Sequence, residues 1–259
     1  MTEVAITEAL GESLSPSQAS TYMTCPAKWY FRYLIGLSEP TTGALALGKA
    51  FHGTLAQNFR QKLSTGRDMD AKELREVFAA EWSTAISEAD LRDDEGADEL
   101  AATGQILVAT YVTEAAGPLK PNAVEQTVQG EIAGVKVRRI VDLLDADGRV
   151  VDFKTASKRP NGLSADHSLQ LTTYAMITPG ASGLCRLDTV TKTKTVQVIQ
   201  QSYQVGAEDR RFAETLFPMV QESIRDGIYP PHRGCPMCSR RHCGYWRECE
   251  HEFGGSVPE

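Results

Sequence analysis

The chain has 259 residues, 41% of them hydrophobic, and 34 acidic against 27 basic side chains give a formal net charge of −7. This excludes a disordered or collagen-like chain and leaves room for one large domain or two small ones. Six cysteines are too few for a disulfide scaffold, no run of eighteen apolar residues predicts a membrane span, and the acidic start MTEVAITEALGE is unlike a signal peptide, so a cytoplasmic protein is expected. The charge is uneven: between Asp68 and Glu99 twelve acids meet three bases, a local −9 that leaves +2 elsewhere. The total therefore does not exclude a nucleic-acid partner.

In chain order, Ser15-Pro16-Ser17-Gln18 predicts a helix start, with Ser as cap, Pro at the first helical position and Gln to close a capping box. That helix leads to Cys25 and the aromatic run from Trp29 to Tyr33. A second helix is predicted from Ala44 to Lys62, where Leu47, Phe51, Leu55 and Phe59 form an apolar stripe with His52 beside it. The acidic segment is amphipathic through Leu74, Phe78, Trp82 and Ile86, and its acids are expected on a solvated face. Asp93-Asp94-Glu95-Gly96 reads as a loop and Glu99 to Ala115 as a further helix. From Val124 to Lys154 the pattern turns strand-like, with Ala146-Asp147-Gly148 as a hairpin turn. A helix from His167 to Ile177, strands at 185–190 and 195–203, and a helix from Ala207 to Asp226 with Phe212, Leu216, Val220 and Ile224 on one side complete the pattern.

The hairpin carries the most chemistry. A three-residue loop with Gly148 left-handed pairs Asp145 with Arg149 and brings Asp142 opposite Asp152. Two facing carboxylates destabilise a sheet unless something positive lies between them. Lys154, two residues on and so on the same face, and a divalent cation supply that charge. Carboxylates holding Mg²⁺ or Mn²⁺ beside a lysine suit phosphodiester hydrolysis.

These residues resemble the site of the PD-(D/E)XK nuclease superfamily, in its RecB-like or CRISPR-associated-type branch of 4Fe-4S exonucleases, and particularly phage-type members. The matching segments, in order, are Gly48-Lys49-Ala50-Phe51-His52, Arg139-Ile140-Val141-Asp142, Asp152-Phe153-Lys154 and Gln170-Leu171-Thr172-Thr173-Tyr174. The resemblance implies that His52, Asp142, Asp152 and the Phe153 carbonyl bind metal. It makes Lys154 the catalytic lysine, and has Gln170 and Tyr174 steady the site. It also implies an α/β fold, a mixed central sheet flanked by helices, with a helical iron–sulfur region built from both termini. The expected organisation is a single nuclease unit over 1–259: helical part 15–120, core sheet 121–205, and C-terminal helix with cysteine segment 206–259.

Cys235, Cys238, Cys243 and Cys249 crowd a turn-rich segment, where clustered thiols read as ligands of zinc or of an iron–sulfur cluster. The resemblance implies a 4Fe-4S cluster on Cys25, Cys238, Cys243 and Cys249, with Cys235 as an alternative to Cys238; Cys185 is expected in the core. Lys158, Arg159, Lys192 and Lys194 are candidate phosphate contacts, with Arg149 near them. Trp29, Tyr30, Tyr245 and Trp246 either stack on bases or pack around the cluster. The expected activity is metal-dependent exonuclease cleavage of single-stranded DNA or duplex ends in recombination, repair or phage DNA metabolism. A recombinase, annealing protein or helicase is the expected partner, with no membrane, in the host cytoplasm if phage-encoded. The alternatives are a non-catalytic iron–sulfur DNA-binding partner and a zinc-binding structural protein.

Overall fold

Helix α1 (Pro16–Thr24) begins where the sequence predicts. The Ser15 hydroxyl accepts the Gln18 N–H at 3.2 Å, and the Gln18 side chain accepts the Ser15 N–H at 2.7 Å, satisfying two donors that a helix start leaves unpaired. The structure is a computed structural model and describes residues 13–39, 41–91 and 95–259. The acidic start and the Asp93-Asp94 part of the expected loop lie outside the described residues. Among those described, no helix is long and apolar enough to cross a membrane.

The chain divides into two compact units, each assembled from separated segments. One comprises Met1–Pro40, Gln129–Arg139 and Gly206–Glu259, and the other Thr41–Val128 and Ile140–Val205. In the first, α1 is followed by the short α2 (Pro26–Trp29) and a π-helical turn at Tyr30–Leu34. Later segments add α7 (Ala207–Arg225) and α8 (Trp246–Phe253). Tyr22 donates its hydroxyl to the Ile228 carbonyl at 2.5 Å, Trp29 stacks on Tyr229 at 5.9 Å, and Leu14 donates to the Lys136 carbonyl. On α7 the sequence placed Phe212 on the buried side, yet it is 56% exposed. Ala213 and Phe217 join Leu216, Val220 and Ile224 in the buried face instead.

The second unit carries α3 (Gly43–Thr65), α4 (Ala71–Ser87), and α5 (Ala97–Tyr111) with its π-helical extension Val112–Ala116. Leu47, Phe51, Leu55 and Phe59 are fully buried on α3, each contributing roughly 2 kcal/mol by removing apolar surface from water. They meet Phe78 and Trp82 of α4 and Tyr111 of α5 in one core. The acids of α4 lie outside that core, as its amphipathic pattern requires.

The sheet has the order β1-β2-β3-β4-β5, formed by Pro121–Ile132, Val135–Asp145, Val150–Ala156, Leu184–Thr191 and Val198–Gln204. Strands β2 and β3 are antiparallel, β3 and β4 parallel, β4 and β5 antiparallel. Helix α6 (Ala165–Ile177), capped by Ser164, makes the crossover that a parallel pair needs. Phe153 of β3 stacks on Phe59 at 5.6 Å, so the middle of the sheet shares the core of α3. Behind it Asp188, wholly buried on β4, accepts hydrogen bonds from Tyr111 at 2.6 Å and Arg186 at 2.7 Å.

Candidate active site

The hairpin register sets the site. Leu144 pairs with Val150 and Leu143 with Val151, while the Asp145 N–H bonds the Arg149 carbonyl at 2.9 Å. The next step outward puts Asp142 opposite Asp152. Gly148 makes this register attainable: its φ is +77°, and a Cβ there would stand 2.5 Å from the Gly180 carbonyl oxygen.

At that end of the hairpin Asp142 Oδ2 lies 3.3 Å from His52 Nδ1 and accepts the Phe153 N–H at 3.0 Å. Asp152, 1% exposed, holds Lys154 Nζ at 2.5 Å through Oδ2, and its Oδ1 accepts Gln170 Nε2 at 2.7 Å. The same Gln170 nitrogen donates to the Tyr174 hydroxyl at 2.6 Å. Gln170 and Tyr174 are one turn apart on α6, which is how one helix face steadies one carboxylate. The structure thus brings together His52, Asp142, Asp152, Lys154, Gln170 and Tyr174.

The carboxylates differ electrostatically. Burial pushes the Asp152 carboxyl up to about 6; nearby Lys154 opposes the rise and Asp142 adds to it. Burial also acts to raise Asp142, but the hydrogen bond and charge of His52, with Lys154, hold it below its ordinary value. His52 shows the converse: burial alone would lower it, and Asp142 raises it instead.

One member of the site was not foreseen. Glu125 of β1 joins His52 and Asp142 in a group whose ligand atoms lie within 4.8 Å of one another. Its φ is +49°, a left-handed conformation costing a non-glycine residue about 1–3 kcal/mol, and such a kink re-aims a strand side chain much as a bulge does. One imidazole and two carboxylates at this spacing fit a hard divalent cation. Glu125→Gln, which keeps the shape and removes the charge, is expected to weaken Mn²⁺ binding by about tenfold in calorimetry. Unchanged affinity would remove Glu125 from the ligand set.

Beyond β3 the chain turns through exposed Lys158 and Arg159; Arg159 donates to Gln197 at 2.9 Å and Lys192 N–H to the Ala156 carbonyl at 2.7 Å. This ties the loop after β3 to the β4–β5 connection that carries Lys192 and Lys194. Arg149 is at the other end of β3, paired to Asp147 at 2.6 Å, and does not belong with them.

In the other unit Cys25, Cys235, Cys238, Cys243 and Cys249 line one chamber, which also includes His232. Among the described residues no three cysteine sulfurs lie within 4.8 Å of one another. Burial raises Cys238, Cys243 and Cys249, the last to about 11, so ligation displaces protons there. Cys185 is buried on β4, its thiol 3.6 Å from the Leu171 carbonyl. Trp29 and Tyr245 are 0% and 2% exposed and cannot stack on bases. Trp246 has the Arg240 and Arg247 guanidiniums at 4.7 and 4.5 Å from its ring centre.

Residues 13–250 match the family model described as the PD-(D/E)XK nuclease superfamily. A solved structure from Eubacterium rectale, described as "Putative exonuclease", is similar with a TM-score of 0.61 and 14% identity, covering 95% of this chain and 90% of that one. At that identity it shows the shared fold alone. A second solved structure, SSO0001, has a TM-score of 0.31 and 16% identity over 78% of this chain and 87% of that one, too low to argue from. No curated protein sequence matches the chain.

Proposed function

Because the chain belongs to the PD-(D/E)XK nuclease superfamily, and so to a family of metal-dependent nucleases, we propose that it is an exodeoxyribonuclease acting on single-stranded DNA or duplex ends. The observation that carries the reading is the convergence of His52, Glu125 and Asp142 next to the Asp152–Lys154 pair. A bound Mg²⁺ or Mn²⁺ supplies polarisation of the scissile phosphate and a water of lowered pKa. His52, Glu125, Asp142, Asp152 and the Phe153 carbonyl form the proposed ligand set. Lys154 orients the attacking water and offsets charge that builds on the phosphate. Gln170 fixes the Asp152 carboxylate through its amide, and Tyr174 fixes Gln170.

Lys158, Arg159, Lys192 and Lys194 are the proposed contacts to the phosphate backbone. If each neutralises one phosphate, each replacement by Ala lowers the log–log salt slope of single-strand binding by about 0.7. A slope unchanged in the fourfold variant would remove this segment from the DNA path. The proposed setting is recombination, repair or phage DNA metabolism in the cytoplasm, with a recombinase, annealing protein or helicase delivering the strand.

The thiol chamber is the proposed seat of a 4Fe-4S cluster on Cys25, Cys238, Cys243 and Cys249, with Cys235 beside them. The shared chamber and the distance in sequence between Cys25 and the rest support this over zinc. A cross-link between chain ends so far apart stabilises by closing a long loop.

The test is digestion of end-labelled linear DNA beside circular DNA, with Mg²⁺ or Mn²⁺. Stepwise release of nucleotides from linear DNA alone is expected. Binding without cleavage under both metals overturns the enzymatic reading, and cleavage of circles overturns the exonuclease reading. Visible absorption of protein prepared without oxygen tests the cluster; a colourless preparation containing zinc overturns it.

A further inference from the structure

Glycine is the least favourable residue for a helix interior after proline, because it surrenders the most backbone freedom and brings no side chain to pack. Helix α3 nevertheless carries Gly43, Gly48 and Gly53, and α5 carries Gly104. Close packing accounts for three of these four. A Cβ at Gly43 would run into Leu100, one at Gly53 into Glu81, and one at Gly104 into Phe78 and Leu47. Gly48 is different. It is the sixth of the 23 residues of α3, its φ lies outside the left-handed range, and a Cβ there would meet nothing within 4 Å among the described residues. Neither packing nor backbone conformation asks for glycine at this position. Its place on the helix does. Gly48 and His52 are one turn apart and share a face of α3. Helical side chains lean toward the N-terminus, so the His52 imidazole, which meets Asp142 Oδ2 at 3.3 Å, leans toward the turn that contains Gly48. One turn further on, the same face carries Leu45, an apolar side chain left 52% exposed.

We propose that the DNA strand crosses α3 at Gly48 on its way into the metal site, its sugar–phosphate backbone against the bare helix and its neighbouring sugar or base against Leu45. The inference rests on the nuclease reading above and adds to it the path of the substrate. A missing side chain lets a ligand approach the protein backbone closely, which is the use of glycine that the open space at this position fits. A Cβ would stand in the path and lift the strand away from His52 and Asp142, while disturbing nothing in the free protein.

The test uses the full chain as wild type, Gly48→Ala and Gly48→Met, both replacements being good helix formers. Affinity for labelled single-stranded DNA is measured by fluorescence anisotropy with Ca²⁺, Mn²⁺ affinity by calorimetry, and stability by thermal melting. DNA affinity is expected to fall by about tenfold in Gly48→Ala, as for a methyl group forced into a filled contact, and further in Gly48→Met. Mn²⁺ affinity should stay at the wild-type value. The Tm of Gly48→Ala should rise by roughly 2–4 °C, since the free protein gains helix propensity and loses no contact. Wild-type DNA affinity in Gly48→Met overturns the inference. So does weaker Mn²⁺ binding or a Tm of Gly48→Ala below wild type, because either shows that the glycine serves the metal site or the fold instead. Cleavage by wild type is followed separately with Mg²⁺ or Mn²⁺. Binding without cleavage overturns the nuclease reading, and the variants still decide the strand path; a wild type that binds no DNA overturns both.

Discussion

Lys154→Ala is expected to cut single-turnover cleavage by about 10²- to 10³-fold, the cost of removing one charge aimed at the reacting phosphate, with DNA affinity nearly unchanged. The side chain is 30% exposed and ion-paired with Asp152 at 2.5 Å, so it is positioned before substrate arrives. Its surroundings hold its proton firmly. Burial works against the charge, but Asp152 and Asp142 together raise the Lys154 pKa, so it acts as a cation and not as a base. Arg should not substitute, because a planar fork cannot occupy the place of a compact ammonium. Cleavage would be followed at saturating enzyme, and binding by fluorescence anisotropy with Ca²⁺. Cleavage within tenfold of wild type in Lys154→Ala would refute the assignment.

The second large effect is on stability. The Asp152 carboxyl is raised to about 6 from an ordinary value of 3.8, chiefly by burial. Between roughly pH 4 and pH 6 the folded chain therefore holds a proton that the unfolded chain has released. Stability falls as pH rises through that window, and above pH 6 the full cost remains, on the order of 2–3 kcal/mol for the metal-free protein. Asp152→Asn is therefore expected to be inactive and yet more stable than wild type in EDTA at pH 7.5, by roughly 5 °C in Tm for a chain of this size. The difference should disappear at pH 4, where wild-type Asp152 is itself neutral, and shrink when Mg²⁺ is added to wild type. His52 and Asp142 work in the opposite sense. The raised His52 stabilises at low pH and loses that contribution as pH rises through its folded value, and the lowered Asp142 stabilises at neutral pH and loses it in acid. Both are present in wild type and variant, and because the Asp152 charge also helps raise His52 and Lys154, the difference reports that carboxylate together with its hold on these neighbours. Circular dichroism melts at the two pH values measure it; an Asp152→Asn protein less stable than wild type at pH 7.5 would show that the buried charge is compensated.

Why the main site was legible in the sequence follows from its local geometry. Ala146-Asp147-Gly148 closes a short hairpin, so counting residues outward predicts that Asp142 and Asp152 face each other, and period 2 along β3 aligns Lys154 with Asp152. Gln170 and Tyr174 are one helical turn apart, and His52 borders an apolar stripe visible as Leu47, Phe51, Leu55 and Phe59. Glu125 was not legible, because its role depends on one left-handed residue within a strand, with no glycine to mark it. Helix α8 was missed for a related reason: its N-cap, Tyr245, makes no side-chain capping bond, and the helix has only eight residues. Phe212 fits the period of α7 as well as its buried neighbours do. Its exposure depends on the other segments of its unit, which periodicity does not contain.

The buried trio of Tyr111, Arg186 and Asp188 constrains how this sequence can drift. Each side chain makes burial of the others tolerable, so Tyr111→Phe or Arg186→Met alone strips a partner from a carboxylate with no exposure to water. Breaking a buried pair from one side costs about 3–5 kcal/mol, whereas replacing all members with apolar residues of similar volume is often neutral or better. The three positions are therefore epistatic. Single steps between the polar and apolar versions cross an unstable intermediate, so selection for foldability alone is enough to hold the trio in place.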